Sequence, residues 1–476
     1  MSESDENRSD SPKTSAEPPF EEREDLNDEW TRAFDWVEKE LGGRAVRLRR
    51  QGRWRPAYFF DLERPDGAVL PLYFRGDRGH DEGERVEDVL LHEAHIYRVL
   101  ETNGLPVPHV HGFCPDPRGL VMDRLPGTFN LGTVEDEARR ATILDDYIRH
   151  LVAMHAIDAS EFEALGLARR DDERSLALGD FDQWVEQFRK AKRRPEPLLE
   201  FAIQWIYRNV PSGRREVTFV QADSGQFLFE GDRVTAVLDM ETGYLGDPLA
   251  DLGGLLCRDL GEPLGALAPA IRRYAELSGR DVDLDVVRFH GLRFNLCTPM
   301  VMAHFVAGAQ PEIDHAMYVA WSIVWARAAL AGMAELMRLE LPEIADYEVP
   351  DSVRGAAYAS LVRQLENLKA EAGDDEARAY ALDSPLRQAR ALERADALGP
   401  AFEVIEREEL AALLGRPVDD LVEADADLGR LVMDAGTERD AEFLQYFYRR
   451  TLRAHELHRP ALFEYVDRTL QPLEST

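Results

Sequence analysis

Residues 217–256 constrain this chain more than any other stretch. They read VTFVQADSGQFLFEGDRVTAVLDMETGYLGDPLADLGGLL. A short apolar run ends at Asp223. Two further strand-like runs, 227–229 and 234–239, meet at the turn Glu230-Gly231-Asp232, and the return strand ends at Asp239. Two carboxylates at neighbouring strand ends can converge on one site, one holding a divalent cation and the other facing a nucleophile. Spacing alone leaves a second reading open, in which both aspartates only cap turns.

The surrounding pattern predicts an α+β chain. A helix over 30–41 stops at Gly42-Gly43, and a hairpin of 54–62 and 68–74 turns at Arg64-Pro65-Asp66-Gly67. A helix over 85–101 and a strand pair, 109–113 and 120–123, complete a small β-rich part. Helices dominate from about 133 to 210, notably 141–155 and 197–208, and again from 248 to 340. The expected division is an acidic disordered tail at 1–27, an N-lobe at 28–123, a helical C-lobe with the embedded hairpin at 124–345, and a C-terminal helical domain at 352–476. Within the last, Ser384, Pro385 and Gly399 read as the cap, first turn and end of one helix. The polar connection 373–384 and the absence of site motifs beyond 345 predict that a chain ending near residue 350 still folds.

Charge excludes some functions. Ninety acidic against 57 basic residues give a net charge of −33. Such a surface repels phosphate backbones and anionic headgroups, so no nucleic-acid or membrane partner is expected. Three widely spaced cysteines without a CxxC pair suit buried thiols in a reducing compartment. With a first 25 residues that lack an apolar core, they predict a cytoplasmic protein. The longest apolar stretch, 316–334, contains Arg327 and predicts a buried helix, not a membrane span.

Three motifs stand in order in the central segment: Gln221-Ala222-Asp223, then Leu238-Asp239-Met240-Glu241, then Gly246-Asp247-Pro248-Leu249-Ala250-Asp251-Leu252. They resemble H-G-D-x-x-x-x-N, I-D-[WFL]-E and G-D-P-x-x-D-L of the aminoglycoside phosphotransferase and choline kinase families. The likeness is to the bacterial phosphotransferases related to the kinase domain of acyl-CoA-dehydrogenase fusion proteins, and it runs from about 35 to 345. It implies a bilobal protein-kinase-like fold, ATP and Mg²⁺ as cofactors, and phosphoryl transfer to the hydroxyl of a small molecule. By the same resemblance Asp223 is the catalytic aspartate and Asp239 the metal ligand. Asp247 and Asp251 are structural, bonding the next helix and the catalytic loop.

Upstream matches follow the same order. Leu91-His92-Glu93-Ala94 resembles R-E-A, and Leu72-Tyr73-Phe74-Arg75 resembles V-L-R, which implies that Arg75, held by Glu93, contacts phosphates. Residues 121–127 resemble V-M-E-R-x-P-G, a hinge whose backbone at Val121, Met122 and Asp123 would pair with adenine. His155 in Ala153-Met154-His155 is similar to L-x-x-L-H.

Three departures stand out. Gln221 replaces the motif histidine. The loop after Asp223 is two residues short, so Gln226 takes the place of the metal-binding asparagine, offering the same hard amide oxygen. The phosphate loop reads Gln51-Gly52-Arg53-Trp54-Arg55, where Arg53 and Arg55 either clamp phosphates by charge or form a solvated basic hairpin.

His109 and His111 share one strand face without a third ligand, which favours a satisfied pair over a metal site. Met300, Met302, Phe305, Met317, Trp321 and Trp325 fall at near-helical spacing and read as core, part of which would line an acceptor pocket in such a fold. The expected function is an ATP-dependent small-molecule kinase. The alternative is a kinase-like nucleotide-binding or regulatory protein without turnover, for which the altered loop 221–226 argues. The acceptor is read only as a hydroxylated small molecule such as a hydroxyacyl-CoA, hydroxy acid or aminoglycoside.

Overall fold

A computed structural model describes residues 20–51, 55–77, 89–308, 314–343, 348–373 and 376–473. Its contacts divide it into two units, Met1–Gly79 with Val110–Arg124, and His80–His109 with Leu125–Thr476.

In the first unit the Asn27 side chain accepts from Trp30 N and starts α1 (Asp28–Leu41), which Gly42 ends in the left-handed region at φ +70°. Trp30, Phe34 and Val37 repeat at helical spacing and are buried. They share a core with Tyr58, Phe60, Leu72, Phe74 and Val121 of an antiparallel sheet. Its strands are β1 (Arg44–Arg50), β2 (Ala57–Glu63), β3 (Val69–Gly76), β4 (Val110–Pro115) and β5 (Arg118–Asp123), in the order β1-β2-β3-β5-β4. Strand β1 has four arginines in RAVRLRR and an irregularity between Val46 and Arg49, which hides it from a periodicity search. Residues 20–27, expected to be disordered, pack on this unit instead. Glu21 bridges Leu48 and accepts from the Tyr58 hydroxyl at 2.9 Å, and Arg23 pairs with Asp35. The expected disorder of 1–19 lies outside the described residues.

The second unit begins with α2 (Val89–Thr102) and continues through α3 (Glu137–His155), α4 (Ala159–Glu163), α5 (Glu173–Leu178), α6 (Phe181–Ala191) and α7 (Pro197–Arg208). Two small antiparallel ladders follow. One joins β6 (Thr218–Val220) to β9 (Tyr244–Gly246), and the other is the hairpin β7 (Phe227–Glu230) and β8 (Arg233–Val237). Then come α8 (Leu249–Gly261), α9 (Leu267–Ser278), α10 (Leu284–Val306) and α11 (His315–Met337). Helix α11 is long and apolar enough to cross a membrane, but 67% of its most apolar window is buried within the protein. The chain continues as α12 (Gly355–Glu371), α13 (Glu376–Leu414), α14 (Leu421–Asp434) and α15 (Asp440–His458). The α+β class expected from the sequence holds: a β-rich part precedes a helical one with a hairpin embedded in it.

Two expectations for the C-terminal region are corrected. Helix α13 does not end at Gly399; it runs unbroken through Pro385 and Pro400. Ser384, expected as a cap, donates to Asp314 at the start of α11, and Arg387 pairs with the same carboxylate at 2.9 Å. Nor do the last helices build a core of their own. Leu410, Leu428, Phe443 and Phe447 belong to one buried cluster with Phe201 and Ile206 of α7, Leu296 of α10 and Met333 of α11. A chain ending near 350 would leave that apolar surface in water, contrary to the folding expected of it.

Candidate active site

The site grows out of the β6–β9 ladder, in which Val220 stands opposite Tyr244. Between these residues the chain makes the β7–β8 hairpin and carries two non-glycine residues in the left-handed region, Ala222 at φ +68° and Asp239 at φ +61°. Such backbone is costly and persists where the surroundings fix it. The surroundings here are dense. Gln221 receives the Tyr147 hydroxyl at 2.9 Å and donates to the Leu238 carbonyl at 2.7 Å, while Gly225 N donates to the same hydroxyl at 2.7 Å. Gln221, where the motif has histidine, thus ties the two limbs of the segment together.

The structure brings Asp223, Gln226 and Asp239 together. Gln226 Nε2 donates to Asp223 Oδ2 at 2.8 Å and to Asp239 Oδ2 at 3.0 Å. The amide nitrogen, not the oxygen, therefore faces the carboxylates, and ligation of a cation by Gln226 requires the amide to rotate by half a turn.

Asp251, in the first turn of α8, holds the loop that carries Asp223. Its two oxygens accept Gln221 N at 3.0 Å and Ala222 N at 2.8 Å, and its carbonyl takes the Ser224 hydroxyl. His155, fully buried, lies between Asp251 at 2.9 Å and the Tyr274 hydroxyl at 2.7 Å. Asp247 receives Arg214 at 2.5 and 2.8 Å, Leu249 N at 3.0 Å and His290 at 3.2 Å. Burial opposes the Asp247 charge, but His290 and Arg214 outweigh it and hold the carboxyl well below the ordinary range. The structural roles expected of Asp247 and Asp251 are borne out. Glycine allows the close approach: a Cβ on Gly254 would sit 2.3 Å from the Ala222 carbonyl oxygen, and one on Gly253 would sit 2.5 Å from Gly291 N.

Glu93, fully buried on α2, supports the metal-binding segment expected at Asp239. Its Oε1 accepts Met240 N at 3.3 Å and the Tyr97 hydroxyl at 3.2 Å, and that hydroxyl accepts Asp239 N at 2.9 Å. On the other side, Arg258 of α8 pairs with Asp223 Oδ1 and lies 3.8 Å from Glu262. Burial pushes the Asp223 carboxyl above its usual value; Arg258 opposes the rise and Asp239 adds to it. No motif named Arg258. The available signal is helical phase, since residue 258 lies seven positions after Asp251 and so shares its helix face.

Of the residues expected at the nucleotide, Arg55, Arg75, Val121, Met122 and Asp123 belong to the first unit and Glu93 to the second. Arg75 is buried in β3 opposite Ala57 and Leu120. Val121 and Met122 are buried in β5, and Asp123 accepts from His111 at 2.7 Å. Arg55 is buried and donates to the Gly76 carbonyl at 3.3 Å, so it is not part of a solvated hairpin. Arg53 lies outside the described residues. His109 is paired with Glu101 at 2.8 Å, and no group of three or more His, Cys, Asp or Glu side chains suited to a metal occurs among the described residues. Cys114, Cys257 and Cys297 are free and buried.

Residues 46–290 match the model of a family described as "Phosphotransferase enzyme family". Among curated proteins, acyl-CoA dehydrogenase family member 11 of Rattus norvegicus is 25% identical over 227 residues, 43% of this chain and 27% of that protein. Acyl-CoA dehydrogenase family member 10 of Mus musculus is 27% identical over 222 residues, 42% of this chain and 19% of that protein. The chain thus spans about a quarter or less of the length of these relatives. Solved structures with a similar course include a thermostable mutant of aminoglycoside phosphotransferase APH(4)-Ia in ternary complex with ADP and hygromycin B. It has a TM-score of 0.47 and 18% identity, covering 63% of this chain and 98% of that one. Macrolide 2'-phosphotransferase MphH from Brachybacterium faecium has a TM-score of 0.42 and 20% identity, covering 58% and 91%.

Proposed function

We propose that this chain, which belongs to the phosphotransferase enzyme family, transfers the γ-phosphoryl group of ATP to a hydroxyl of a small molecule. The observation that carries the reading is the meeting of the Asp223 and Asp239 carboxylates on one point, now held by the Gln226 amide. That point has the chemistry of a magnesium site, with hard carboxylate oxygens and an amide that can turn its own oxygen inward. Asp239 and Gln226 would hold Mg²⁺, which when bound neutralises charge on the β- and γ-phosphates.

Asp223 would accept the proton of the attacking hydroxyl. As the acceptor oxygen bonds to the γ-phosphorus, the bond from that phosphorus to the bridging oxygen breaks and ADP leaves with the electron pair. Asp251 and Gln221 keep the loop rigid, so the carboxylate is aimed before the acceptor arrives. Arg75, Arg53 and Arg55 are assigned to the phosphates, and the backbone of Val121, Met122 and Asp123 to adenine.

The names of the curated relatives make hydroxyacyl-CoA esters and hydroxy acids the first acceptors to try, followed by amino alcohols and aminoglycosides. The test is ATP consumption with Mg²⁺ against that panel, each compared with water alone. A hydroxylated acceptor that accelerates consumption and is recovered phosphorylated supports the reading. Tight Mg·ATP binding with no transfer to any acceptor or to water favours a regulatory protein without turnover.

A further inference from the structure

Arg258 is the middle member of a row, Cys257-Arg258-Asp259, on the penultimate turn of α8. Both flanks of the row are clamped. Trp325 of α11 donates its indole N–H to Cys257 Sγ at 3.0 Å, and the Tyr465 ring packs edge-on against that indole at 5.6 Å. On the opposite flank Gln471 donates to Asp259 Oδ2 at 2.8 Å and to the Gly265 carbonyl at 2.7 Å, while accepting Leu267 N at 3.3 Å. Asp259 closes the corner by accepting Leu264 N at 2.8 Å. Successive helix residues differ by about 100° in direction, so holding 257 and 259 fixes the rotation of the turn and the line along which 258 leaves it. That line ends on Asp223 Oδ1.

We propose that Arg258 is a positioning residue for Asp223, and that the C-terminal segment, through Gln471, determines where Arg258 stands. The inference rests on the reading of Asp223 as the base. The guanidinium holds one carboxylate oxygen and leaves the other to the Gln226 side, so the carboxylate plane has one orientation.

The experiment uses the full chain and hydrolysis of Mg·ATP with water as acceptor. Mg·ATP binding is measured by calorimetry on the same samples. Arg258→Gln should leave the Kd within about threefold and slow turnover by roughly 10–100-fold. Arg258→Lys, which keeps the charge and a donor, should recover part of the lost rate. Gln471→Ala should slow turnover by about 3–10-fold and speed amide exchange over 259–267. Should Arg258→Gln not fold, the Arg258→Lys and Gln471→Ala rates decide alone. Wild-type turnover in Arg258→Gln, while Asp223→Asn abolishes turnover, overturns the role of Arg258. Faster exchange in Gln471→Ala at wild-type turnover overturns the role of the C-terminal segment. Wild-type turnover in Asp223→Asn overturns the assignment of the base itself, a failure visible without any Arg258 variant.

Discussion

His155 Nε2 lies 2.9 Å from Asp251 Oδ2, and both side chains are fully buried although 96 residues separate them in the chain. Because Asp251 in turn holds the backbone of Gln221 and Ala222, the end of α3 governs the loop that presents Asp223. His155→Ala should cost about 1.5–3 kcal/mol of stability, the scale of a hydrogen bond to a buried charged group, and should lower turnover as well. Urea unfolding and Mg·ATP hydrolysis measure the two effects. A loss of stability with full turnover would show that the loop is held without the histidine.

Gly254→Ala tests the same loop from the helix side. In a helix the exchange ordinarily gains up to about 1 kcal/mol. Here the new Cβ would meet the Ala222 carbonyl at 2.3 Å and the Ser224 hydroxyl at 2.5 Å. The expected outcome is a net loss of about 1–3 kcal/mol and a displaced Asp223, read as a fall in melting temperature together with slower hydrolysis. A more stable and fully active variant would contradict the close approach.

The two site aspartates should differ in the kind of loss. Asp239→Ala should abolish metal-dependent ATP binding. Asp223→Asn should leave binding close to wild type and lower turnover by roughly 10²–10⁴-fold, the usual scale for a general base. Gln226→Ala should fall between them if its amide turns to offer oxygen to the cation. Calorimetry with Mg·ATP alongside steady-state transfer separates the three, and binding that survives Asp239→Ala would remove the hairpin from the metal site.

The Asp247–Arg214–His290 cluster makes a pH-dependent contribution to stability. The folded-state carboxyl titrates below its unfolded value, so the contribution is complete above about pH 4 and is lost as the pH falls from there into strong acid. Asp247→Asn, which breaks a buried pair, should cost about 3–5 kcal/mol at pH 7. The gap from wild type should narrow below about pH 4. Urea midpoints for both proteins at neutral pH and near pH 3 give the comparison; an equal gap at both would count against a charged Asp247.

Truncation after residue 350 should give insoluble or unfolded protein. Leu428, Phe443, Leu444 and Phe447 are almost fully buried, and their removal alone forfeits about 1.5–3 kcal/mol each. The total reaches the whole net stability of a typical domain. Soluble, cooperative unfolding of the truncated chain would show that the shared core is dispensable.

Much of this was legible in the sequence. The β7–β8 hairpin, with Asp223 ahead of it and Asp239 after it, rests on local turn chemistry that a short window contains, and the Gly-Asp-Pro entry to α8 was legible through the family resemblance. The same holds for α1, whose cap and apolar spacing are adjacent in sequence. What escaped depends on partners far away. Arg258 looks like any helix arginine until α8 is laid under the Asp223 loop, and Gln471 is an ordinary polar residue until it meets Asp259. Strand β9 is three residues long and is recognisable only through β6. Ser384-Pro385 reads locally as a helix start and Gly399-Pro400 carries a strong stop signal, yet α13 passes through both, because buried contacts along its length outweigh local preference. Gln226 was legible as a residue facing the carboxylates but not in the orientation of its amide, which the two negative charges decide.

The pairing of Val220 with Tyr244 has a consequence for how this site tolerates change in length. It closes the whole span from Gln221 to Gly243 into a ring, with the Asp223 and Asp239 carboxylates near the neck and Gly231 at the far tip. A ring closed at its neck transmits little of what happens at its tip. Residues added at 230–232 would lengthen an exposed turn at the loss of the Arg139 hydrogen bonds to Gly231 and Asp232 and an entropic cost of about 0.6 kcal/mol for each doubling of loop length, without separating Asp223 from Asp239. A single residue added between Ser224 and Gln226 would instead shift the bridge itself. The hairpin tip is therefore the place to graft a reporter peptide or a tether onto this protein, and the short arc beside Asp223 is where its length is least negotiable.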